Sequence, residues 1–130
     1  MLILLKNSRS PWSFPDAIVD KKDGSKRFCV DFRKLNTVTK RNAFPLPLID
    51  DILALLREAK YFSSLDLKSG YWQIQMAEED KEKTAFACHR GLFEFQRMPF
   101  GLVNAPAIFQ ELMSVVLRDW TLLLHIWMIF

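Results

Sequence analysis

Apolar and polar residues alternate in short runs along most of the chain, and turn-forming residues punctuate the runs. AIVDKK (residues 17–22) and RFCVDF (residues 27–32) read as two short strands. Asp23-Gly24-Ser25 lies between them, a composition that favours a tight hairpin turn. Asn42 to Pro47 is a proline-punctuated connector. Apolar residues at 48, 49, 52, 53, 55 and 56 then recur with helical spacing, which predicts an amphipathic helix over 48–59 with Pro47 near its start. YFSSLDL (residues 61–67) alternates as a strand does, with Phe62, Ser64 and Asp66 on one face and Tyr61, Ser63, Leu65 and Leu67 on the other. Lys68-Ser69-Gly70 is a turn. Further strands are predicted over 71–76, 84–89 and 92–96, the first two separated by AEEDKEK, a charged turn. A helix over 105–120 follows Asn104, a residue suited to an N-cap. The elements make an α+β fold of hairpins and helices, without internal repeats or low-complexity linkers.

Composition narrows the class. A chain of 130 residues is one domain or a piece of one, and 50% hydrophobic content is enough for a packed core. With four glycines and no Gly-x-Gly-x-x-Gly or P-loop pattern, a glycine-rich phosphate loop is excluded. Cys29 and Cys88 have neither zinc-ligand nor disulfide-framework spacing, and read as small buried thiols in a reducing compartment. The opening MLILLK is too short for a signal peptide or a membrane span.

Charge changes the picture more by position than by sum. The net charge is only +3, yet eight of the eighteen Lys and Arg lie between Lys21 and Arg41, opposed there by Asp23 and Asp31 alone. A concentrated basic patch beside aromatic residues is a footprint of nucleic-acid or polyphosphate binding; the bland alternative is a solvated basic face.

Three stretches carry candidate chemistry. Asp66 sits in an apolar, aromatic run just before a tight turn. It is either a structural cap or a ligand for a hard cation such as Mg²⁺, and the turn amides of Ser69 and Gly70 could then meet phosphate oxygens. Lys21 and Arg27 flank the hairpin turn and could close over phosphates, Arg as a planar fork and Lys as a point charge; otherwise they are an ordinary charged hairpin tip. QRMPFGLVNAPAIFQ shapes a loop into the last helix and presents Phe100, which is otherwise a packed side chain at a helix start.

The order of these stretches carries more than any one of them. VDKKDGSKRFCVDFRKLN, then FSSLDLKSGYWQI, then RMPFGLVNAPAIFQ, preceded by SPWSFP, resembles the reverse transcriptase of gypsy-type LTR retrotransposons, and more distantly that of retroviruses. The resemblance runs from about Ser10 to Trp120. It implies a right-hand polymerase, an antiparallel sheet with packed helices, with fingers at 1–41 and 75–104 and a partial palm at 42–74 and 105–130. It implies an RNA-directed DNA polymerase that joins a primer 3′-oxygen to the α-phosphate of a dNTP with two Mg²⁺ ions, or Mn²⁺. By resemblance, Asp66 is the first catalytic carboxylate and a metal ligand, and Leu67 offers its carbonyl to the nucleotide-side metal. Ser69 and Gly70 meet the triphosphate. Tyr71 is the aromatic gate against a 2′-hydroxyl. Lys21 and Arg27 hold the outer phosphates, Phe100 lies beside the nucleotide, and Asp31 and Arg33 support the templating base. Asp20 stands where relatives often have another Lys. The implied partners are an RNA or DNA template with its primer, dNTPs and the rest of a Pol polyprotein, with no membrane. The implied location is the cytoplasm, in a virus-like particle of the parent element, or the nucleus.

The family completes its metal site with a Tyr-x-Asp-Asp hairpin, and this sequence contains none. TLLLHIWMIF stands where it is expected. In a shifted reading frame, the codons for Trp127-Met128-Ile129 force two successive Asp codons, and Tyr-Leu-Asp-Asp-Ile is among the allowed readings. The tail from about residue 121 therefore reads as a frame-shifted remnant of that hairpin, and the chain as an incomplete polymerase, inactive as written. The competing readings are a non-catalytic nucleic-acid-binding remnant and, with least support, an interaction or membrane-associated peptide built on the apolar tail.

Overall fold

The hairpin and its turn form as the pattern requires. In the computed structural model, which describes residues 4–20, 22–57, 59–61, 63–64 and 66–118, strands β2 (Phe14–Asp20) and β3 (Lys26–Val30) pair antiparallel from Asp16↔Val30 to Asp20↔Lys26. The Asp23 carboxylate accepts from the Ser25 backbone N–H at 2.9 Å and from its hydroxyl at 2.6 Å, an Asx-type closure of the bend. Gly24 takes φ +79°, a left-handed angle open to glycine at little cost.

The other strands are shorter: β1 (Leu5–Asn7), β4 (Phe86–Cys88) and β5 (Gly91–Phe95). The sheet order is β1-β5-β4-β2-β3. The β1·β5, β4·β5 and β2·β3 pairs are antiparallel, but β2 and β4 run parallel through Phe14↔Phe86 and Pro15↔Ala87. The sheet is therefore mixed rather than purely antiparallel. Strand β1 was not expected; it is fixed by Leu5↔Phe95 pairing at the sheet edge, a long-range contact with little local signature.

Two expected strands are corrected. Residues 71–76 are not a strand. Gly70–Gln73 is a 3-10 turn, with Trp72 N–H bonded to Ser69 C=O at 2.9 Å and Ile74 N–H to Tyr71 C=O at 3.1 Å. Ser69, at φ 58° and ψ 38°, is left-handed and starts this coil; the chain is extended only from Ile74, where a single antiparallel bridge, Gln75↔Arg97, forms in place of a strand. In 61–67, the described residues Tyr61, Ser63, Ser64, Asp66 and Leu67 take no strand pairing. A strand needs a ladder partner, and none of the described strands supplies one here.

The charged segment AEEDKEK is helical. Helix α3 (Glu78–Lys81) passes into a 3-10 turn at Glu82–Thr84. Acidic residues fill its first turn, and the ion pairs Lys81–Glu78 and Lys83–Asp80 span one turn each, the latter at 2.6 Å. Helix α1 (Arg33–Val38) follows the hairpin, α2 (Ile49–Leu56) occupies most of the predicted 48–59, and α4 is Ala105–Val116. Helix α2 stops early because its end tightens: Arg57 N–H bonds Ala54 C=O and Ala59 N–H bonds Leu56 C=O. Pro106 falls in the first turn of α4, where no N–H is needed. Residues 119–130, with the expected end of this helix and the whole proposed frame-shifted tail, lie outside the described residues.

By contacts the chain divides into two units, one drawn from Met1–Arg41 and Ser69–Ala105, the other from Asn42–Lys68 and Pro106–Phe130. The first unit holds the aromatic core: Phe14, Phe32, Leu35, Phe86 and Phe95, with Leu5, Val30, Phe93 and Leu102 against it. Phe32 meets Phe14 edge-on at 5.5 Å and Phe95 at 6.3 Å, separations in the favoured range for aromatic pairs. In the second unit Ile52, Ala107, Phe109 and Met113 are buried. Cys29 and Cys88 are free thiols, half-buried rather than buried.

Candidate nucleotide-binding site

Within the first unit the sheet and the 97–105 segment bring together residues far apart in sequence. The pairing Val19↔Arg27 places Arg27 near the tip of the β2–β3 hairpin. Its guanidinium lies 5.4 Å from the centre of the Phe100 ring, a cation–π geometry. Phe100 also meets Tyr71 at 5.0 Å and Trp72 at 6.1 Å between ring centres. Arg27 is exposed, Phe100 is 41% exposed and Tyr71 only 2%. The cluster is thus layered, with a cation outermost, Phe100 between and Tyr71 inside. Burial pushes the Tyr71 phenol up to about 12, so it stays neutral through the physiological range.

The 3-10 turn explains Tyr71's placement. Left-handed Ser69 reverses the chain, and the turn that follows directs Tyr71 and Trp72 toward Phe100. The Phe100 side is set by Gly101 at φ +94°. A Cβ there would meet the Phe32 ring at 3.5 Å and the Val30 carbonyl at 3.7 Å, so this turn lies close on the core. Asn36 of α1 also holds it: its side-chain N–H donates to Gly101 C=O at 2.8 Å, and its Oδ1 accepts from Val103 N–H at 2.9 Å. Asn104 donates to Lys40 C=O at 2.9 Å. Asn36 and Trp72 did not emerge from sequence reasoning, because their partners are backbone groups and a ring brought near by folding.

Asp31 and Arg33 form a local unit at the start of α1. The Arg33 guanidinium meets the Asp31 carboxylate as a fork, with Nε at 2.9 and 3.0 Å and Nη2 at 2.6 Å, and the Arg33 backbone N–H adds a bond at 3.0 Å. These bonds hold the Asp31 carboxyl down to about 2 and raise the Arg33 guanidinium further. The pair is exposed enough to be met from solvent, Arg33 most of all.

Ser69 and Gly70 belong to the cluster of Arg27, Phe100 and Tyr71 through the turn they form. Lys21 lies outside the described residues. Asp66 and Leu67 belong to the second unit; Asp66 is exposed and Leu67 is 40% exposed. Asp66 with the Leu67 carbonyl offers one carboxylate and one neutral oxygen, whereas Mg²⁺ takes six hard ligands and a pair of ions needs more than one carboxylate. Among the described residues no group of three or more His, Cys, Asp or Glu is placed to hold a metal ion. The described donors therefore do not fit a two-metal centre.

The family described as reverse transcriptase (RNA-dependent DNA polymerase) matches residues 19–128. The chain is 49% identical over 122 residues to the retrovirus-related Pol polyprotein from transposon gypsy of Drosophila melanogaster, covering 89% of this chain and 12% of that polyprotein. It is 47% identical over 96 residues to an RNA-directed DNA polymerase homolog of Oenothera berteroana, covering 74% of this chain and 68% of that protein. Among solved structures it is similar to the foamy viral protease–reverse transcriptase in complex with RNA/DNA hybrid, with a TM-score of 0.81 and 26% identity over 91% of this chain and 16% of that one. The fold is that of reverse transcriptase fingers and palm. The chain belongs to the reverse transcriptase family, in the form carried by retrotransposon Pol polyproteins.

Among the described residues no helix is long and apolar enough to cross a membrane.

Proposed function

We propose that this chain supplies the incoming-nucleotide side of an RNA-directed DNA polymerase. The observation that carries the reading is the layered cluster of Arg27, Phe100 and Tyr71 beside the Ser69-Gly70 turn. A guanidinium seated on an aromatic ring is already oriented, so little freedom is lost when it meets a phosphate. In this reading Arg27 and Lys21 take the outer phosphates, and the turn amides of Ser69 and Gly70 take inner ones. Phe100 lies along the nucleotide, and the buried Tyr71 backs it, so the wall against a 2′-hydroxyl expected of Tyr71 acts through the Phe100 ring. Asp31 and Arg33 support the templating base, with Asp31 orienting the Arg33 fork. The first unit then corresponds to fingers and the second to part of the palm. The two-unit division favours this assignment except at 69–74, which belong with the first unit rather than the palm.

Template and primer come into the reading from the RNA/DNA hybrid held by the foamy viral relative. The other polymerase parts belong to a longer Pol polyprotein, of which this chain spans 12% in the gypsy case. Its place in a virus-like particle, cytoplasm or nucleus follows the same reading. Toward Mg²⁺ or Mn²⁺, Asp66 would offer one carboxylate and the Leu67 carbonyl one further oxygen, and the sequence has no Tyr-x-Asp-Asp to complete the set. The chain by itself is accordingly proposed to bind dNTP and primer–template without extending the primer.

The test pairs binding with extension on the purified chain. Titration with dATP and ATP, and with a labelled RNA–DNA primer–template at several salt concentrations, should show preference for dATP and a falling affinity with salt. Primer extension with dNTPs and Mg²⁺ should give no product. Equal affinity for dATP and ATP would remove the Tyr71 gate, and elongated primer would overturn the inactivity. Primer–template binding with no dNTP binding would favour a nucleic-acid-binding remnant, for which the exposed Lys22, Lys26 and Arg27 of the hairpin already speak.

A further inference from the structure

Arg27 can be oriented only if the ring under it is fixed, and Phe100 is on an irregular loop. Three observations show what fixes it. Asn36 lies in α1 next to Leu35, and both Leu35 and Phe32 are in the aromatic core, so the base of its side chain is held. Its amide makes two bonds to one loop, donating to Gly101 C=O at 2.8 Å and accepting from Val103 N–H at 2.9 Å. The two groups lie two residues apart on a turn, with Gly101 at a left-handed angle, and one planar amide with a donor and an acceptor spans both. Finally, Gly101 at φ +94° directly follows Phe100, so the clamp takes hold at the carbonyl of the residue next to the ring.

We propose that Asn36 is a positioning residue: its side-chain amide sets the Gly101 turn, the turn sets Phe100, and Phe100 seats the Arg27 guanidinium. The functional part rests on the nucleotide-pocket reading above; the positioning part stands without it. Only a side chain with a donor and an acceptor on one short planar group meets both backbone atoms. Leu has the shape and neither bond. Asp keeps the acceptor for Val103 and turns a second oxygen against the Gly101 carbonyl. The Asn36 amide does not touch the nucleotide in this account; it acts through Phe100.

The test begins with a readout that stability alone does not move. The Arg27 side-chain NMR signals should be shifted by the ring current of Phe100, and Phe100→Leu gives the position with no ring beneath. In folded Asn36→Leu, the Arg27 signals should move most of the way to that position. Should Asn36→Leu fail to fold, Asn36→Asp is read in the same way, and Phe100→Tyr should keep the wild-type shift. Arg27 signals unmoved in a folded Asn36 variant overturn the proposal. Affinity for dATP should fall roughly two- to fivefold in Asn36→Leu, the scale of an exposed cation–π contact. The Asn36→Leu/Phe100→Leu double variant should bind no more weakly than Phe100→Leu alone, as expected for residues acting in series. Additive losses overturn the series. If the wild-type chain binds no dATP, the pocket reading fails, while the Arg27 signals still decide whether Asn36 positions Phe100.

Discussion

Replacing Thr84 by Val tests whether one hydroxyl holds the end of strand β5. Thr84 is 1% exposed, at the end of the 3-10 turn before β4. The β4–β5 ladder runs from Cys88↔Gly91 to Phe86↔Phe93, and two residues on, the chain opposite Phe95 has already coiled. Phe95 N–H is therefore met by the Thr84 hydroxyl at 3.0 Å, and that hydroxyl donates in turn to Lys81 C=O at 2.6 Å. Valine keeps the shape and removes both bonds. A buried N–H without a partner costs about 1–3 kcal/mol. The methyl that replaces the hydroxyl returns at most about 0.8 kcal/mol. The net expectation is a loss of about 1–2 kcal/mol, read as a lower urea midpoint with unchanged slope by tryptophan emission. Thr84→Ser separates the causes, because it loses a methyl and keeps the bonds. In Thr84→Val the Phe95 amide should exchange with solvent faster, and in Thr84→Ser it should stay protected. A valine variant within about 0.5 kcal/mol of wild type, with Phe95 still protected, would refute the assignment of the hydroxyl as that amide's partner.

Three further outcomes are expected. Gly24→Ala meets nothing within 4 Å, so only its φ of +79° counts, and the loss should be about 1 kcal/mol by urea unfolding; a neutral result would mean the turn readjusts. The Tyr71 phenol is raised by burial from 10.0 to about 12, so its contribution to stability is complete below pH 10 and is lost as pH rises toward 12. The urea midpoint of wild type should fall more steeply across that window than that of Tyr71→Phe, and parallel profiles would argue against a buried phenol. The Asp31 carboxyl is lowered from 3.8 to about 2 by Arg33, so its contribution is present above pH 3.8 and lost as pH falls through 2. In Arg33→Ala its NMR titration should move up toward the ordinary carboxylate range, and a titration that stays low would assign the effect elsewhere.

The parts of the fold visible in the chain are those whose causes are local. The β2–β3 hairpin is legible because Asp23 closes its own turn and Gly24 provides the left-handed angle, all within a few residues. The start of helix α4 is legible because it begins at Ala105, directly after Asn104, the residue read as its start signal. Strand β1 and the parallel β2·β4 contact depend on partners far along the chain, so no window of sequence contains their cause. The 3-10 turn at Gly70–Gln73 misled for a different reason. YWQIQM alternates as a strand would, but the left-handed Ser69 before it decides the backbone, and serine rarely announces that geometry.

The site divides along a similar line, and the division says what motif reading can find. A residue that meets a ligand has its type dictated by that ligand: a guanidinium for phosphate, an aromatic ring for a sugar or base. In the proposed site, Arg27, Tyr71 and Phe100 could therefore be named from the order of the motifs, although only the fold places the guanidinium 5.4 Å from the ring centre. Asn36 answers to backbone instead. Its two bonds go to the carbonyl of Gly101 and the N–H of Val103, groups that every segment of chain carries alike. Nothing at 101 or 103 encodes the need for an amide at 36, and in the sequence Asn36 looks like one more polar residue in a short helix. Loops that aim functional side chains without a strand or helix beneath them must take such partners from somewhere. Here the partner lies on α1, which also carries Leu35 of the core, so the packing that stabilises the first unit is the same packing that fixes the direction of Arg27.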